Sequence, residues 1–408
     1  MSHRAETVVV GGGQAGLSVS RELTAADVPH VVLERGRVGQ TWRGRWDSFC
    51  LVTPNWSVQL PGHPYDGDDP DGFMPRDDIV GYLERYAASF DAPVREGVDV
   101  TALRQGNDGR LRLETSEGEI EARNVVLGTG AYQRPHRPSG AESLPRDLLK
   151  IDVEAYRNPG ELPAGAVLVV GSGQSGCQIA EELHLAGRDV FLACGRAGWA
   201  PRRINNHDLA WWLRESGSFD DRFEDLPEPA ARLWGNVQAS GHEGGHDLHY
   251  RTLHAMGVTL LGHFLGAEGH DALFATDLDA SIAWGDERHA KIVGDFRKHA
   301  VAAGLPWTDP DAPKPVDAEP LERIPLRELG AVVFAGGFRP DYESWVDCDG
   351  AFDGLGFPLH RDGASTAVAG LYFVGVHFLR KRKSSLLIGV GEDAAIVARQ
   401  IAERAKAD

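Results

Sequence analysis

The chain has 408 residues, with 42 lysines and arginines against 60 aspartates and glutamates, a formal charge of −18; 42% of the residues are hydrophobic and 25% charged. This is the composition of a soluble globular enzyme rather than of a disordered or fibrous chain, and the length calls for two domains or one large α/β domain with an insertion. The acidic balance repels a polyanion, so no nucleic acid is expected as a partner.

The chain enters Thr7-Val8-Val9-Val10 without room for the apolar stretch of a signal peptide, which points to a cytoplasmic protein. That β-branched run suits a strand buried on both faces. Gly11-Gly12-Gly13-Gln14-Ala15-Gly16 follows at once, then a helix over residues 17–26 and a second strand, His30-Val31-Val32-Leu33, ending in Glu34. Strand, glycine turn, helix, strand and acid make one βαβ unit. Residues 42–64 are aromatic and broken by prolines; a helix is expected near 77–88 and an alternating strand over 111–115. Asn124-Val125-Val126-Leu127-Gly128-Thr129-Gly130 reads as a strand entering another glycine turn. The βαβ pattern then repeats: a strand over 166–170, the turn Gly171-Ser172-Gly173-Gln174-Ser175-Gly176, a helix over 177–186 and a strand over 189–193. Residues 200–325 break it with tryptophans, histidines and acidic helices, and an insertion is expected there. Ala331-Val332-Val333-Phe334-Ala335 restores a buried strand, Leu371-Tyr372-Phe373-Val374 is another, and a helix over about 392–406 follows Gly389 and Gly391. No apolar run approaches the roughly 20 residues of a membrane span, so no membrane is expected.

The glycines have separate tasks. Gly11 allows a tight turn, Gly13 lets the backbone approach a pyrophosphate, and Gly16 lets helix and strand pack closely, while the helix amino end offers N–H donors. Glu34, 23 residues beyond Gly11, can accept both ribose hydroxyls of an adenosine and would repel a 2′-phosphate, which suits FAD or NAD. In the second unit Arg196, 25 residues beyond Gly171, either holds a 2′-phosphate through two parallel hydrogen bonds, favouring NADPH, or is an ordinary surface charge. Arg202 and Arg203 are candidates to share that phosphate. Two dinucleotide units in one chain imply hydride passing from nicotinamide to flavin. Cys50, Cys177, Cys194 and Cys348 show no CxxC or CxxxxC spacing, and His242, His246, His249 and His254 follow no metal signature, so neither a local redox disulfide nor a metal is expected. Trp211, Trp212, Trp234, Trp284 and Trp307 read as core or domain packing rather than as a substrate cage.

Longer motifs carry a resemblance. Val125-Val126-Leu127-Gly128-Thr129-Gly130 followed by Pro135 resembles the crossover of the two-dinucleotide-binding-domain flavoproteins, and residues 366–375 resemble their late FAD motif, with Val376 where disulfide reductases carry aspartate. Val38-Gly39-Gln40-Thr41-Trp42 with Trp46-Asp47-Ser48, Leu51-Val52-Thr53-Pro54-Asn55, Leu60-Pro61-Gly62 and Gly389-Val390-Gly391-Glu392-Asp393-Ala394 resemble the flavin-containing monooxygenases, the class B flavoprotein monooxygenases. The resemblance implies an α/β fold of two Rossmann-like, doubly wound domains: a discontinuous FAD domain over 1–160 and 338–408, and an NADPH domain over 161–337 containing the 200–325 insertion. The motifs together assign to the cofactors Gly11, Gly13, Gln14, Ala15, Gly16, Glu34, Arg35, Thr41, Trp42, Thr129, Gly130, Gly171, Ser172, Gly173, Gln174, Ser175, Arg196, Gly375 and Gly389.

Members of that family reduce FAD with NADPH, form a C4a-(hydro)peroxyflavin with O₂ and oxygenate a small organic substrate at N, S or C. Their fingerprint FxGxxxHxxxY is degraded here: aligned on Tyr156, Arg146, Leu148 and Asp152 stand at the phenylalanine, glycine and histidine positions. A flavin-dependent NADPH oxidase or reductase is therefore a second expectation, and a nucleotide-sensing regulator docking through 200–325 a third. Asn55 either acts catalytically, bonding the nicotinamide or flavin-bound oxygen as an asparagine near this point does in the family, or forms the turn after Pro54. Arg380-Lys381-Arg382-Lys383 either draws anions to the flavin or forms a solvated loop. A homodimer is compatible with all of these readings.

Overall fold

In the computed structural model, which describes residues 3–106, 108–234, 236–318 and 321–407, the first β-branched run becomes strand β1, His3–Val10, with Val8 and Val9 fully shielded from solvent. Helix α1, Gln14–Ala25, buries Leu17, Val19 and Leu23 and leads to β2, His30–Glu34, parallel to β1. Helix α2, Arg76–Ala88, precedes β3, Val94–Glu96, which extends the sheet beyond β2. Strands β4, Val100–Gln105, β5, Leu111–Thr115, and β6, Gly118–Leu127, form an antiparallel meander. In β5 only Leu111 and Leu113 are buried, as expected where one face is wet. Strand β6 also runs parallel to β1, joining meander and parallel sheet.

The chain then passes through Arg134–Pro135 into a second sheet. Its elements are β7, Leu149–Asp152; β8, Ala166–Val170; α3, Gln174–Leu185; β9, Val190–Ala193; α4, Leu209–Glu215; α5, Tyr250–Met256; and β10, Thr259–Leu261. They are followed by β11, Phe264–Glu268; β12, Asp271–Phe274; the 26-residue α6, Leu278–Ala303; β13, Arg323–Pro325; and β14, Leu329–Phe334. The sheet order is β7-β14-β8-β9-β10, all parallel, and Val167, Leu168, Val169, Ala331, Val332 and Val333 are fully buried within it. Chains buried on both faces need helices or a second layer over each side. Ile179, Leu183 and Leu253 from α3 and α5 cover one face, and Phe264, Ala272, Phe274 and Ile324 from β11, β12 and β13 cover the other.

Finally the chain returns through Phe338–Arg339, paired antiparallel with Arg134–Pro135, and adds β15, Leu371–Phe373, beside β6. The last helix, α7, Val390–Ala407, buries Val390, Ala394, Val397, Ala398 and Ile401 against Leu17 and Leu23, the spacing of one helical face.

The expected insertion over 200–325 is corrected by this topology. Strand β10 is an edge strand of the second sheet and β11 to β13 are its outer layer, so much of the segment belongs to the unit it was expected to interrupt. What lies apart is a small core of Ala200, Ile204, Leu209, Trp212, Phe296 and Ala300 beside the sheet. Among the described residues no helix is long and apolar enough to cross a membrane, and no group of three or more His, Cys, Asp or Glu could hold a metal ion.

Candidate functional site

The two glycine turns share one geometry. Gly11 and Gly171 have φ of +110° and +111°, and a Cβ on either would lie 2.6 Å from Gly128 O or 2.5 Å from Ala335 O, so only glycine fits beneath the neighbouring strand. Gly16 and Gly176 press their Cα atoms onto the carbonyls of Gly11 and Gly171 in the same way. At Gly13 and Gly173 a Cβ would meet nothing within 4 Å. These positions border open space at the amino ends of α1 and α3, where neither helix has a side-chain cap. The first N–H groups of both helices thus face two cradles suited to phosphate.

In the first unit Glu34 is 7% exposed, its Oε2 accepting from Gly12 N–H at 2.7 Å and its Oε1 from Gly36 N–H at 2.9 Å. The carboxylate is fixed at the end of β2 with lone pairs to spare. Gln14 Oε1 accepts from Trp42 Nε1 at 2.9 Å, and Gln14 Nε2 donates to Ser385 O at 3.4 Å, tying turn, Trp42 and the segment before α7 together. Thr129 Oγ1 and Gly130 O accept from Gln133 Nε2, at 3.1 and 3.0 Å. Gly375, with φ of +80°, brings the end of β15 onto Ala15, and Gly389 lies against Lys383. Arg35 and Thr41 are exposed.

Where the two sheets meet, side chains that sequence reasoning missed converge. Arg45 lies 5.2 Å over the Tyr132 ring; Tyr132 packs on Phe338 and His377 at 5.1 and 5.2 Å; His377 Nδ1 lies 3.1 Å from Ser385 Oγ. Burial pushes His377 down to about 4, so its ring is neutral at neutral pH, and burial also lowers Arg45, whose Nε has no partner among the described residues. An orphaned buried donor beside aromatic walls and a neutral imidazole suits a planar, polar ring. No local pattern marks these residues, because they come from four separated segments.

The second unit differs at the end of its second strand. Val10 pairs with Leu33 and Val170 with Ala193, so buried Cys194 stands where Glu34 stands in the first unit. No carboxylate is there to repel a 2′-phosphate. Arg196 is exposed and makes no hydrogen bond or ion pair among the described residues. Its loop is braced from behind: Tyr250 Oη donates to Gly195 O at 2.5 Å and lies 3.1 Å from Ser172 Oγ, and Gln238 Nε2 donates to Ser172 O at 2.5 Å. Trp199 stacks on His289 at 3.9 Å, lies 4.3 Å from His249, and donates to Asp286, which Arg251 grips with two bonds of 2.8 and 2.7 Å. Burial lowers His289 and pushes His249 down to about 4.

Several expectations are corrected. The Ser172 hydroxyl turns inward, accepting from Gly195 N–H at 3.0 Å, and Gln174 Nε2 reaches Val237 O at 3.4 Å; Ser175 is partly exposed beside the cradle. Arg202 is buried, donating to Asp208 Oδ2 at 2.8 Å and Val52 O at 2.7 Å over the Phe73 ring, and Arg203 holds the carbonyls of Gly244 and Gly245. Neither is free for a phosphate. Asn55 uses both ends of its amide within the protein, Nδ2 donating to Asp69 O at 2.9 Å and Oδ1 accepting from Met74 N–H at 2.7 Å, so it staples a loop rather than reaching a cofactor. The basic cluster is paired throughout: Arg380 with Asp362 and Asp393, Lys381 and Lys383 with Asp220 and Glu392, and Arg382 with Asp221. It stitches residues 218–225 to the closing helix. At the degraded fingerprint, Asp152 takes a two-bond grip from Arg137, and buried Tyr156 donates to Glu182 at 2.8 Å.

Four known matches place this chain among related proteins. The family model described as pyridine nucleotide-disulphide oxidoreductase matches residues 8–217. The "Uncharacterized oxidoreductase CzcO-like" of Geobacillus kaustophilus is 31% identical over 97% of this chain and 97% of its own length. A flavin-containing monooxygenase from Stenotrophomonas maltophilia shares the fold with a TM-score of 0.69 at 19% identity, covering 99% of each chain. So does the ornithine N-hydroxylase of Kutzneria sp. 744, solved with reduced FAD, NADP⁺ and ornithine, with a TM-score of 0.64 at 18% identity over 99% and 100%.

Proposed function

Since this chain belongs to the pyridine nucleotide-disulphide oxidoreductase family and is an oxidoreductase, we propose that it is an FAD- and NADPH-dependent monooxygenase acting on a small organic molecule. The observation that carries the reading is the pair of open cradles with opposite chemistry at the strand ends: Glu34, bonded to Gly12 N–H, in the first unit, and Cys194 followed by an unpartnered Arg196 in the second. In this reading the FAD-binding part is 1–160 with 338–408, and the NADPH-binding part is 161–337.

The N–H groups of α1 hold one pyrophosphate and Glu34 accepts ribose hydroxyls; the N–H groups of α3 hold the other and Arg196 clamps the 2′-phosphate. FAD, once reduced by NADPH, supplies the two-electron chemistry that activates O₂. Tyr132 and Phe338 would line the flavin ring's side of the junction, and the neutral His377 would present no charged proton donor there. The likeness to solved flavin-dependent hydroxylases supports oxygen transfer. Aspartate at 152, committed to Arg137, favours the second reading, an NADPH oxidase that releases H₂O₂.

The test is the spectrum of the purified protein, which should show bound oxidised flavin and bleach on adding NADPH. Amines, sulfides and ketones are then screened with H₂O₂ counted in air. Oxygenated product with H₂O₂ below the NADPH consumed supports the monooxygenase; one H₂O₂ per NADPH with every compound replaces it with the oxidase.

A further inference from the structure

His263 lies in the short connection after β10, the strand next to β9. Asp277 grips it twice: Asp277 Oδ1 accepts from the His263 backbone N–H at 3.0 Å, and Asp277 Oδ2 lies 2.6 Å from Nδ1 of the ring. The ring is therefore held in one orientation with its Nδ1 edge occupied. The other edge looks at the loop that carries Arg196, since a Cβ placed on Gly195 would lie 3.3 Å from His263 Nε2. Nε2 makes no hydrogen bond among the described residues, and the side chain is 48% exposed. Gly195, lacking a side chain, lets Nε2 come this close to the backbone just before Arg196.

Two nitrogen donors thus flank the carboxyl ends of adjacent parallel strands, where an open α/β sheet receives the adenosine end of a dinucleotide. In the first unit the acid Glu34 occupies the equivalent corner; here Cys194 does, and it is buried. We infer that His263 is a second anchor for the 2′-phosphate of NADPH, opposite Arg196, with Asp277 as its positioning residue. This rests on reading the second glycine turn as the NADPH site. With Nδ1–H donated to Asp277, a cationic ring presents Nε2–H to the phosphate. The bond such a ring makes to the phosphate is charge-assisted. NADH has no group to reach it.

The experiment is calorimetric titration of the flavin-loaded protein with 2′,5′-ADP and, separately, 5′-AMP, for wild type, His263→Gln, Asp277→Asn and Arg196→Ala, with melting temperatures as the folding control. Wild type should bind 2′,5′-ADP more tightly than 5′-AMP. His263→Gln should raise the Kd for 2′,5′-ADP about tenfold, the loss of one charge-assisted bond, and leave 5′-AMP within about twofold; Asp277→Asn should fall between, and His263→Lys should recover part of the loss. If Arg196→Ala abolishes the preference and His263→Gln leaves it intact, His263 is no anchor while the NADPH reading stands. If His263→Gln weakens both probes equally, the ring is structural and the inference is overturned. If wild type binds both probes alike, the NADPH reading itself fails.

Discussion

Acid should weaken this fold in a way traceable to one ring. His249 is 7% exposed, caps the amino end of α5 by accepting from Arg251 N–H at 3.2 Å, and lies against Trp199. Burial pushes its pKa from 6.5 down to about 4. As pH falls, the unfolded chain takes up a proton near 6.5 that the folded chain refuses until about 4. The stability held by the neutral ring is therefore full above 6.5 and is lost as pH falls through that window. Between pH 7 and pH 5 the loss is about 2 kcal/mol, at about 1.36 kcal/mol for each pH unit crossed below 6.5. His249→Asn keeps a side-chain acceptor for the cap and removes the titration. Urea unfolding followed by tryptophan fluorescence at the two pH values should show wild type losing about 2 kcal/mol more than the variant. The other buried histidines, His289 among them, contribute to both proteins and cancel in the comparison. Equal losses in both would refute the assignment of this slope to His249.

Other outcomes follow from the same geometry. Gly13→Val, at an extended φ of −91° with open space around it, should fold with an ordinary melting curve and purify without flavin, whereas Gly16→Val, driven into Gly11 O, should not fold; a yellow Gly13→Val protein would misplace the first cradle. Arg196→Ala should raise the KM for NADPH at least tenfold, the scale of a two-bond guanidinium–phosphate contact, with KM for NADH and the melting temperature unchanged; equal effects on both nucleotides would remove Arg196 from the 2′-phosphate. Asp220→Asn takes away one of the two carboxylates that Lys381 and Lys383 share, leaving Glu392. Because such half-exposed pairs each contribute at most about 1 kcal/mol, the melting temperature should hold, but deuterium uptake over residues 216–233 should rise, as it should for wild type in high salt. Unchanged uptake would mean that other contacts hold the seam.

The parts of the site that the backbone itself dictates were legible in the sequence. A turn closing under a neighbouring strand admits only glycine, and a strand buried on both faces calls for valine and leucine, so both βαβ units, β5, α2 and the closing helix stand near where the residue pattern puts them. What eluded reading was pairing at a distance. Lys381 finds Asp220 across 161 positions, and Arg202 finds Val52 across 150, so a committed charge and a free one look alike in the chain. Asn55 reads as a turn or a ligand from its neighbours alone, and only Asp69 and Met74 decide. Strand β10, three residues long, is too short for any periodicity to announce it. Counting to Cys194, 23 residues beyond Gly171 as Glu34 is beyond Gly11, was open to the sequence, but the matching register shows why that position matters.

The two-stranded neck has a mechanical meaning. Arg134–Pro135 and Phe338–Arg339 lie side by side, and among the described residues no strand of the first sheet comes from the interval between them. Everything in that interval hangs from one pivot, while Asn158 on Asp47 and the acids at 220 and 221 on the lysines and arginine at 381–383 act as latches away from it. A swing about the neck would part these polar latches and also the apolar contacts that cross with them, Trp46 and Phe49 against the second core and Leu233 against the first. A graft that begins after 135 and ends before 338 would replace the second sheet without cutting a strand of the first, and it would have to supply a seat for Trp46.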